Sequence, residues 1–293
     1  MSKMKWCCLL GVFALLLSGA LFLNGTESHA KRMMSKPKFL KDGKVYKYDI
    51  DGDSKKEKFE IKTTADFDEY VVTTKIRVDG KNYATVKEKG SFAHQVVLCD
   101  LYAKKKGMNF LIYGTADSDC VGKVQVFRAG AKKMTKIAQM KSGDKGLMAY
   151  SRMSGKLSQG KEEGSFYIYP DTPFYLNLFG CYFTKVKCQI SGNKIKWVKQ
   201  KNYTYYYKHV FQLKRDMDAY EKASLTSEKS TLTSGTKLTV VKIQPMRRDS
   251  QGKRWSFVQV KTSAGKTVWV YDEPIDDYDS NNGYFQGEIP AWG

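Results

Sequence analysis

Histidine is scarce in this chain, with three residues in 293. That leaves few positions for imidazole general bases or for His-rich metal chemistry. His29 falls in a leader segment described below, so only His94 and His209 remain as possible partners for a nucleophile, and neither sits in a recognisable catalytic motif. The sequence has no C-x-x-C knuckle, which argues against a zinc ribbon, and no Gly-rich loop leading from a strand into a helix, which argues against a nucleotide-phosphate cradle. Glu162 and Glu163 are adjacent, so on a strand they face opposite sides and do not make a glycosidase pair. A carboxylate pair assembled across the fold remains open. No segment carries an amphipathic helical pattern longer than about three turns.

Acid is also in deficit. Fifty Lys and Arg oppose 30 Asp and Glu, a formal charge of +20, which argues for an anionic partner and says nothing about fold. The first 30 residues read as a secretory signal peptide: Lys3 and Lys5 precede an uncharged run from Trp6 to Leu23, then Ser28-His29-Ala30 offers a small-x-small cleavage pattern. The competing reading is an uncleaved anchor, the one route by which the chain would meet a membrane. Export redirects the charge. A secreted, extracellular or cell-wall-associated protein meets anionic wall polymers or wall peptides, and nucleic acid is not expected as a partner. Cys7 and Cys8 leave with the leader, so Cys99, Cys120, Cys181 and Cys188 remain in an oxidising compartment where three pairings are possible. The local one, Cys99 with Cys120 and Cys181 with Cys188, is the expectation. Zinc is the alternative use of the four.

What is present is strand. Apolar residues recur at period two or in short runs over Lys58 to Thr63, Tyr70 to Val78, His94 to Cys99, Asn109 to Gly114, Val121 to Phe127 and Met134 to Met140. Asp79-Gly80, Ala129-Gly130 and Ser191-Gly192-Asn193 supply turn punctuation. The chain is therefore expected to be all-β. A Tyr-rich stretch (Tyr203, Tyr205, Tyr206, Tyr207) marks a division near residue 205, and the segment from Asp272 onward carries six acids with no Lys or Arg. That tail either folds against a basic surface or stays solvated.

The sharpest local signal runs from Tyr48 to Phe59, with carboxylates at Asp49, Asp51, Asp53 and Glu57 around Gly52. Alternate carboxylates about a Gly-centred turn can converge on one calcium ion, which prefers six to eight hard oxygen ligands, and Lys55 would add its carbonyl. The loop lacks the later Glu and the flanking helices of an EF-hand. A solvated Asp-Gly turn is the plainer alternative. The pattern resembles the D-x-D-G-D-x-x-x-D/E loops of FG-GAP and VCBS repeats, a resemblance that implies calcium held between strands of β-propeller-like blades. An echo follows some fifty residues on, where Cys99-Asp100-Leu101-Tyr102 and a Lys-rich turn lead to Met108-Asn109-Phe110. That copy keeps the first Asp and the strand but not the other acids, so Lys104 to Lys106 stand where a second metal would. Ser154 to Ile195 is expected to supply a third unit.

Toward the C-terminus, Gly235-Thr236-Lys237-Leu238-Thr239-Val240, then Trp255-Ser256-Phe257-Val258, then Gly265-Lys266-Thr267-Val268-Trp269-Val270 resemble the strand order of bacterial SH3-like domains. Val268 stands where that family usually has Gly. With both resemblances, the expected organisation is a signal peptide (1–30), a partial β-propeller-like domain of antiparallel sheets (31–204), a small SH3-like β-barrel (205–275) and an acidic tail (276–293). Trp255 and Trp269 either fill the barrel or form a platform for sugar or peptide, with Arg247 and Arg248 adding attraction to anionic polymers. The leading functional expectation is a non-catalytic surface or cell-wall binding protein with a structural calcium site. A wall or glycan hydrolase and a protein-binding adhesin are the alternatives.

Overall fold

The computed structural model describes residues 36–116, 121–141, 153–170, 176–180, 183–205, 209–273 and 283–287. The expected leader lies outside them, as do Cys120 and Cys181. All regular structure among the described residues is strand. After a short β1 (Lys38–Phe39), the chain forms β2 (Val45–Tyr48), β3 (Glu57–Asp66), β4 (Val71–Val78) and β5 (Lys81–Lys89), which pair antiparallel in that order as a four-stranded meander. Their alternation is clean because one face meets solvent: Phe59, Ile61, Val72 and Ile76 are buried and their neighbours are not. Asp79 and Gly80 close the β4–β5 hairpin with φ of 47° and 78°, the left-handed pair that a two-residue turn needs to match strand twist.

A second antiparallel meander follows, β6 (Ala93–Cys99), β7 (Asn109–Thr115), β8 (Val121–Ala129) and β9 (Met134–Lys141). In β6 and β7 the apolar runs are continuous because both faces are covered. Val96, Leu98, Phe110 and Ile112 pack on the first meander, with Phe59 and Ile76, whereas Val97, Cys99, Leu111 and Tyr113 face a larger core on the other side. A third meander comprises β10 (Met153–Gln159), β11 (Ser165–Pro170), β12 (Thr184–Ser191) and β13 (Lys194–Trp197). Its Phe166, Ile168, Val186 and Cys188 complete that larger core. A parallel pairing of Lys194 with Gln139 joins β13 to β9, and all other described ladders are antiparallel. At about 1.5 to 3 kcal/mol for each fully buried large apolar side chain, these two layers are the main source of stability.

The remaining strands are β14 (Tyr203–Tyr205), β15 (Phe211–Gln212), β16 (Met217–Tyr220), β17 (Lys229–Leu232), β18 (Lys237–Ile243), β19 (Arg247–Arg248), β20 (Arg254–Thr262) and β21 (Thr267–Asp272). They pair in the order β17-β16-β21-β20-β18, with β14 and β15 both on the free side of β18. Among the described residues this sheet does not close on itself, so the small barrel expected over 205–275 is an open sheet. The expected boundary at residue 205 falls inside a shared element: β14 pairs with β12 on one side and with β18 on the other. The larger core likewise runs from Val97 through Val258 and Val270 to Phe285. Part of the acidic tail folds back. Phe285 is buried against Phe179 and Phe211, the backbone of Tyr284 and Gln286 bonds to Lys214 and Gln212, and the Arg215 guanidinium lies 3.7 Å above the Tyr284 ring.

Candidate functional site

The acidic loop is the β2–β3 hairpin connection. Asp49 accepts the Gly52 and Ser54 amides at 2.7 and 2.9 Å, Asp51 accepts Asp53 N at 3.0 Å, and Glu57 Oε2 accepts Ile50 N at 2.8 Å. These bonds wind the loop so that one carboxylate oxygen from each of Asp49, Asp51 and Glu57 lies within 4.8 Å of the others. Burial pushes the Glu57 carboxyl up, and the neighbouring Asp51 and Asp49 charges push it the same way. A hard divalent cation would relieve that crowding, and an all-oxygen donor set suits calcium. Asp53 stands apart from this trio. Its carboxylate accepts Lys55 N at 2.7 Å.

The sequence echo at Cys99-Asp100-Leu101 is a structural equivalent. It forms the β6–β7 hairpin connection, where Leu101 N donates to Asn109 Oδ1 at 3.0 Å as Ile50 N donates to Glu57. Ile50 and Leu101 are each buried plugs at 1% and 2% exposure. The first hairpin loops of the three meanders then lie against one another in series. Met108 N donates to Ile50 O at 2.7 Å, Gly164 N to Leu101 O at 2.6 Å, Lys104 N to Glu163 Oε1 at 3.1 Å, and Gln159 Nε2 to Asp100 O. Close approach sets a glycine requirement at position 52: a Cβ there would stand 2.8 Å from the Gly107 amide nitrogen, with φ already at 83°. Between the first two loops lies a cavity of about 450 Å³.

The second candidate lies on the C-terminal sheet. Val258, Val260, Val268 and Val270 point into the core, so strand alternation sends Trp255, Phe257, Trp269 and Tyr271 to the other face. Trp255, Trp269 and Tyr271 are half-buried there. Trp255 meets Phe257 and Tyr271 at ring separations of 6.1 and 5.8 Å, Phe257 meets Tyr220 at 6.1 Å, and Tyr220 pairs with Trp269 across the β16–β21 ladder. The Arg247 guanidinium sits 4.9 Å over the Trp255 ring. Arg248 instead closes its own hairpin, donating to Gly252 O at 2.7 Å.

The histidines are accounted for by geometry. His94 Nδ1 lies 2.9 Å from Thr74 Oγ1, and His94 Nε2 lies 3.7 Å from Glu88 Oε2. Such a hydroxyl–imidazole–carboxylate row is the arrangement used for nucleophilic catalysis. Here Thr74 and the His94 side chain are fully buried and Glu88 is 3% exposed, so the row is closed to a substrate. Glu88 also accepts Ser91 Oγ at 2.6 Å and Gln125 Nε2 at 2.9 Å, with Lys123 Nζ at 3.3 Å. Burial raises its carboxyl, but His94, Ser91 and Lys123 outweigh that and hold it below its ordinary value. The cluster pins the first meander to the second. No sequence motif announces it, since its members come from β4, β5, β6 and β8 and from the β5–β6 connection. His209 packs edge-on against Phe211 at 4.5 Å.

Cys99 and Cys188 are free thiols, both fully buried, and burial pushes both well up from the ordinary thiol value. The partners expected for them, Cys120 and Cys181, lie outside the described residues. Cys188 sits mid-strand in β12, opposite Phe166 on β11 and Trp197 on β13. The chain matches no protein-family model, no curated protein and no solved structure.

Proposed function

We propose that the protein is an exported, non-catalytic binding protein of a cell wall or other anionic surface, using the β20–β21 aromatic face as its recognition platform and a calcium ion to stiffen the β2–β3 loop. The observation that carries this reading is the row of half-covered Trp255, Tyr271 and Trp269, with exposed Arg247 stacked on Trp255, on a sheet whose other face is a complete valine core. Aromatic rings on a rigid sheet offer flat apolar area for sugar or peptide at little conformational cost. An arginine stacked on one of them adds a cation suited to phosphate or carboxylate. The charge of the chain acts in the same direction by drawing the protein toward polyanions.

The three meanders, repeating at about fifty to sixty residues with their first hairpin loops in contact, support the FG-GAP/VCBS-like, propeller-like assignment. The strand order of β16 to β21 supports the SH3-like one. Asp49, Asp51 and Glu57 fit a calcium ion by donor chemistry and convergence, with Asp53 able to join by turning away from Lys55 N. The non-catalytic reading rests on the closed Thr74–His94–Glu88 row and the deeply buried thiols.

The test is sedimentation of the purified protein with isolated wall material at low and high salt. Trp255→Ala and Trp269→Ala should each weaken retention about tenfold or more, as for aromatic anchors elsewhere. Arg247→Ala should remove mainly the salt-sensitive part. Unchanged retention in all three variants would move recognition off this face.

A further inference from the structure

The cavity between the first two hairpin loops has an unbalanced lining. Lys47 and Lys56 border it from the first meander, and Lys104, Lys105 and Lys106 border it from the β6–β7 loop. Two carboxylates, Asp49 and Asp100, share the walls. Both acids are turned to backbone amides: Asp49 to Gly52 and Ser54, Asp100 to Tyr102 N at 3.2 Å. The ammonium groups are not so engaged. Lys105 lies 4.9 Å over the Tyr102 ring, and among the described residues Lys47, Lys56, Lys104 and Lys106 have no ion-pair partner. Five exposed lysines thus border one concave space beside two carboxylates, and their fields add there.

Why these lysines converge follows from the packing of the loops. Met108 N bonds to Ile50 O, and the Gly52–Gly107 contact draws the second loop over the first. The bonds place Lys104 to Lys106 across from Lys47 and Lys56, residues that belong to different meanders. Nothing local in either segment predicts the meeting.

We propose that this cavity is a binding site for a small phosphate monoester, held by Lys104 and Lys106 from one loop and by Lys47 and Lys56 from the other. A phosphate suits it better than a carboxylate. It brings close to two negative charges and three acceptor oxygens, enough to meet point-charge donors arriving from separate directions. A volume of about 450 Å³ accommodates a small phosphate monoester and falls in the range of small-molecule sites. The site is separate from the aromatic face of the C-terminal sheet and uses none of its residues.

The experiment is titration calorimetry of the full chain in chelator-containing buffer, so that calcium takes no part. Glycerol 3-phosphate is the probe, with glycerol and glucuronate as comparisons and poly(glycerol phosphate), whose internal phosphates are singly charged diesters, as a polymeric comparison. Glycerol 3-phosphate should bind, glycerol should not, and glucuronate should bind more weakly. Lys104→Ala/Lys106→Ala, two exposed loop positions, should weaken binding about tenfold or more. Lys237→Ala/Lys261→Ala, exposed and on another sheet, should leave it unchanged and so controls for net charge. Weaker binding per phosphate for the polymer is expected, and tighter binding would overturn the preference for a doubly charged phosphate monoester. No heat with millimolar glycerol 3-phosphate, glucuronate binding as tightly, an unaltered isotherm in the Lys104/Lys106 variant, or an equal loss in the Lys237/Lys261 variant would overturn the proposal. Wall retention of the Trp255 variant is a separate readout, so either idea can fail alone.

Discussion

Asp272 gives the most quantitative test of the packing between the third meander and the C-terminal sheet. It ends β21 with no solvent exposure, and its carboxylate accepts Leu178 N at 2.8 Å and Asn177 N at 3.0 Å, pinning the 176–180 loop that carries buried Leu176, Leu178 and Phe179. Burial pushes its pKa from an ordinary 3.8 to about 7, despite the two amides, which favour the ionised form; the nearby Glu273 charge adds to the rise. The folded state therefore holds this proton where the unfolded chain has released it. Stability from this group is complete below about pH 4 and is lost as pH rises toward 7, at 1.36 kcal/mol per pH unit, so about 4 kcal/mol in all. Asp272→Asn has no proton to lose. Urea denaturation followed by tryptophan fluorescence should show the wild type losing roughly 3 kcal/mol relative to Asp272→Asn between about pH 4.5 and pH 7. The amide that loses its carboxylate partner in the variant adds an offset that does not change with pH. A wild-type-minus-variant difference that is flat across this range, or that grows with pH, would refute the argument.

Calcium should stabilise the protein by about 2.7 kcal/mol at a hundredfold excess over its dissociation constant, and Asp51→Asn should abolish the effect; identical melting curves in calcium and in chelator would remove the site. Gly114→Ala would place a methyl group against the Glu88 carboxylate and Ser91 hydroxyl, so a cost of about 1 to 3 kcal/mol in urea denaturation is expected, and a change below about 0.5 kcal/mol would contradict it. Because the Glu88 pKa is lowered in the fold, its contribution is present at neutral pH and is lost as pH falls through that lowered value; Glu88→Gln should flatten the acid limb of the stability profile. Phe285→Ala should cost about 3 to 5 kcal/mol if the tail is docked as described, and a loss under about 1 kcal/mol would show that it is not.

Strand content and strand limits were legible from alternation and turn chemistry. Tyr70 to Val78 became β4 (Val71–Val78), Asn109 to Gly114 became β7 (Asn109–Thr115), and Asp79-Gly80 became the hairpin turn between β4 and β5. These features depend on neighbours within a few residues, which sequence displays directly. The acidic loop was legible for the same reason, although only the fold separated Asp53 from Asp49, Asp51 and Glu57. The division near residue 205 was legible as a change of composition, whereas the ladders that β14 makes to β12 and β18 there were visible only in the structure.

Local pattern alone determined that the chain is all-β, that Asp49 to Glu57 forms an acidic turn, and that β20 and β21 each present two unlike faces. Tertiary structure alone decided which face lies inward. A period of two is symmetric between the sides of a strand, so Val258 and Val270 in the core with Trp255 and Trp269 half-covered outside is set by what the other sheets bring against it. The same holds for Glu88 meeting His94 and Lys123, and for Lys47 and Lys56 facing Lys104 to Lys106. Those groups come together because three meanders stack, and the stacking is driven by apolar faces that belong to different parts of the chain.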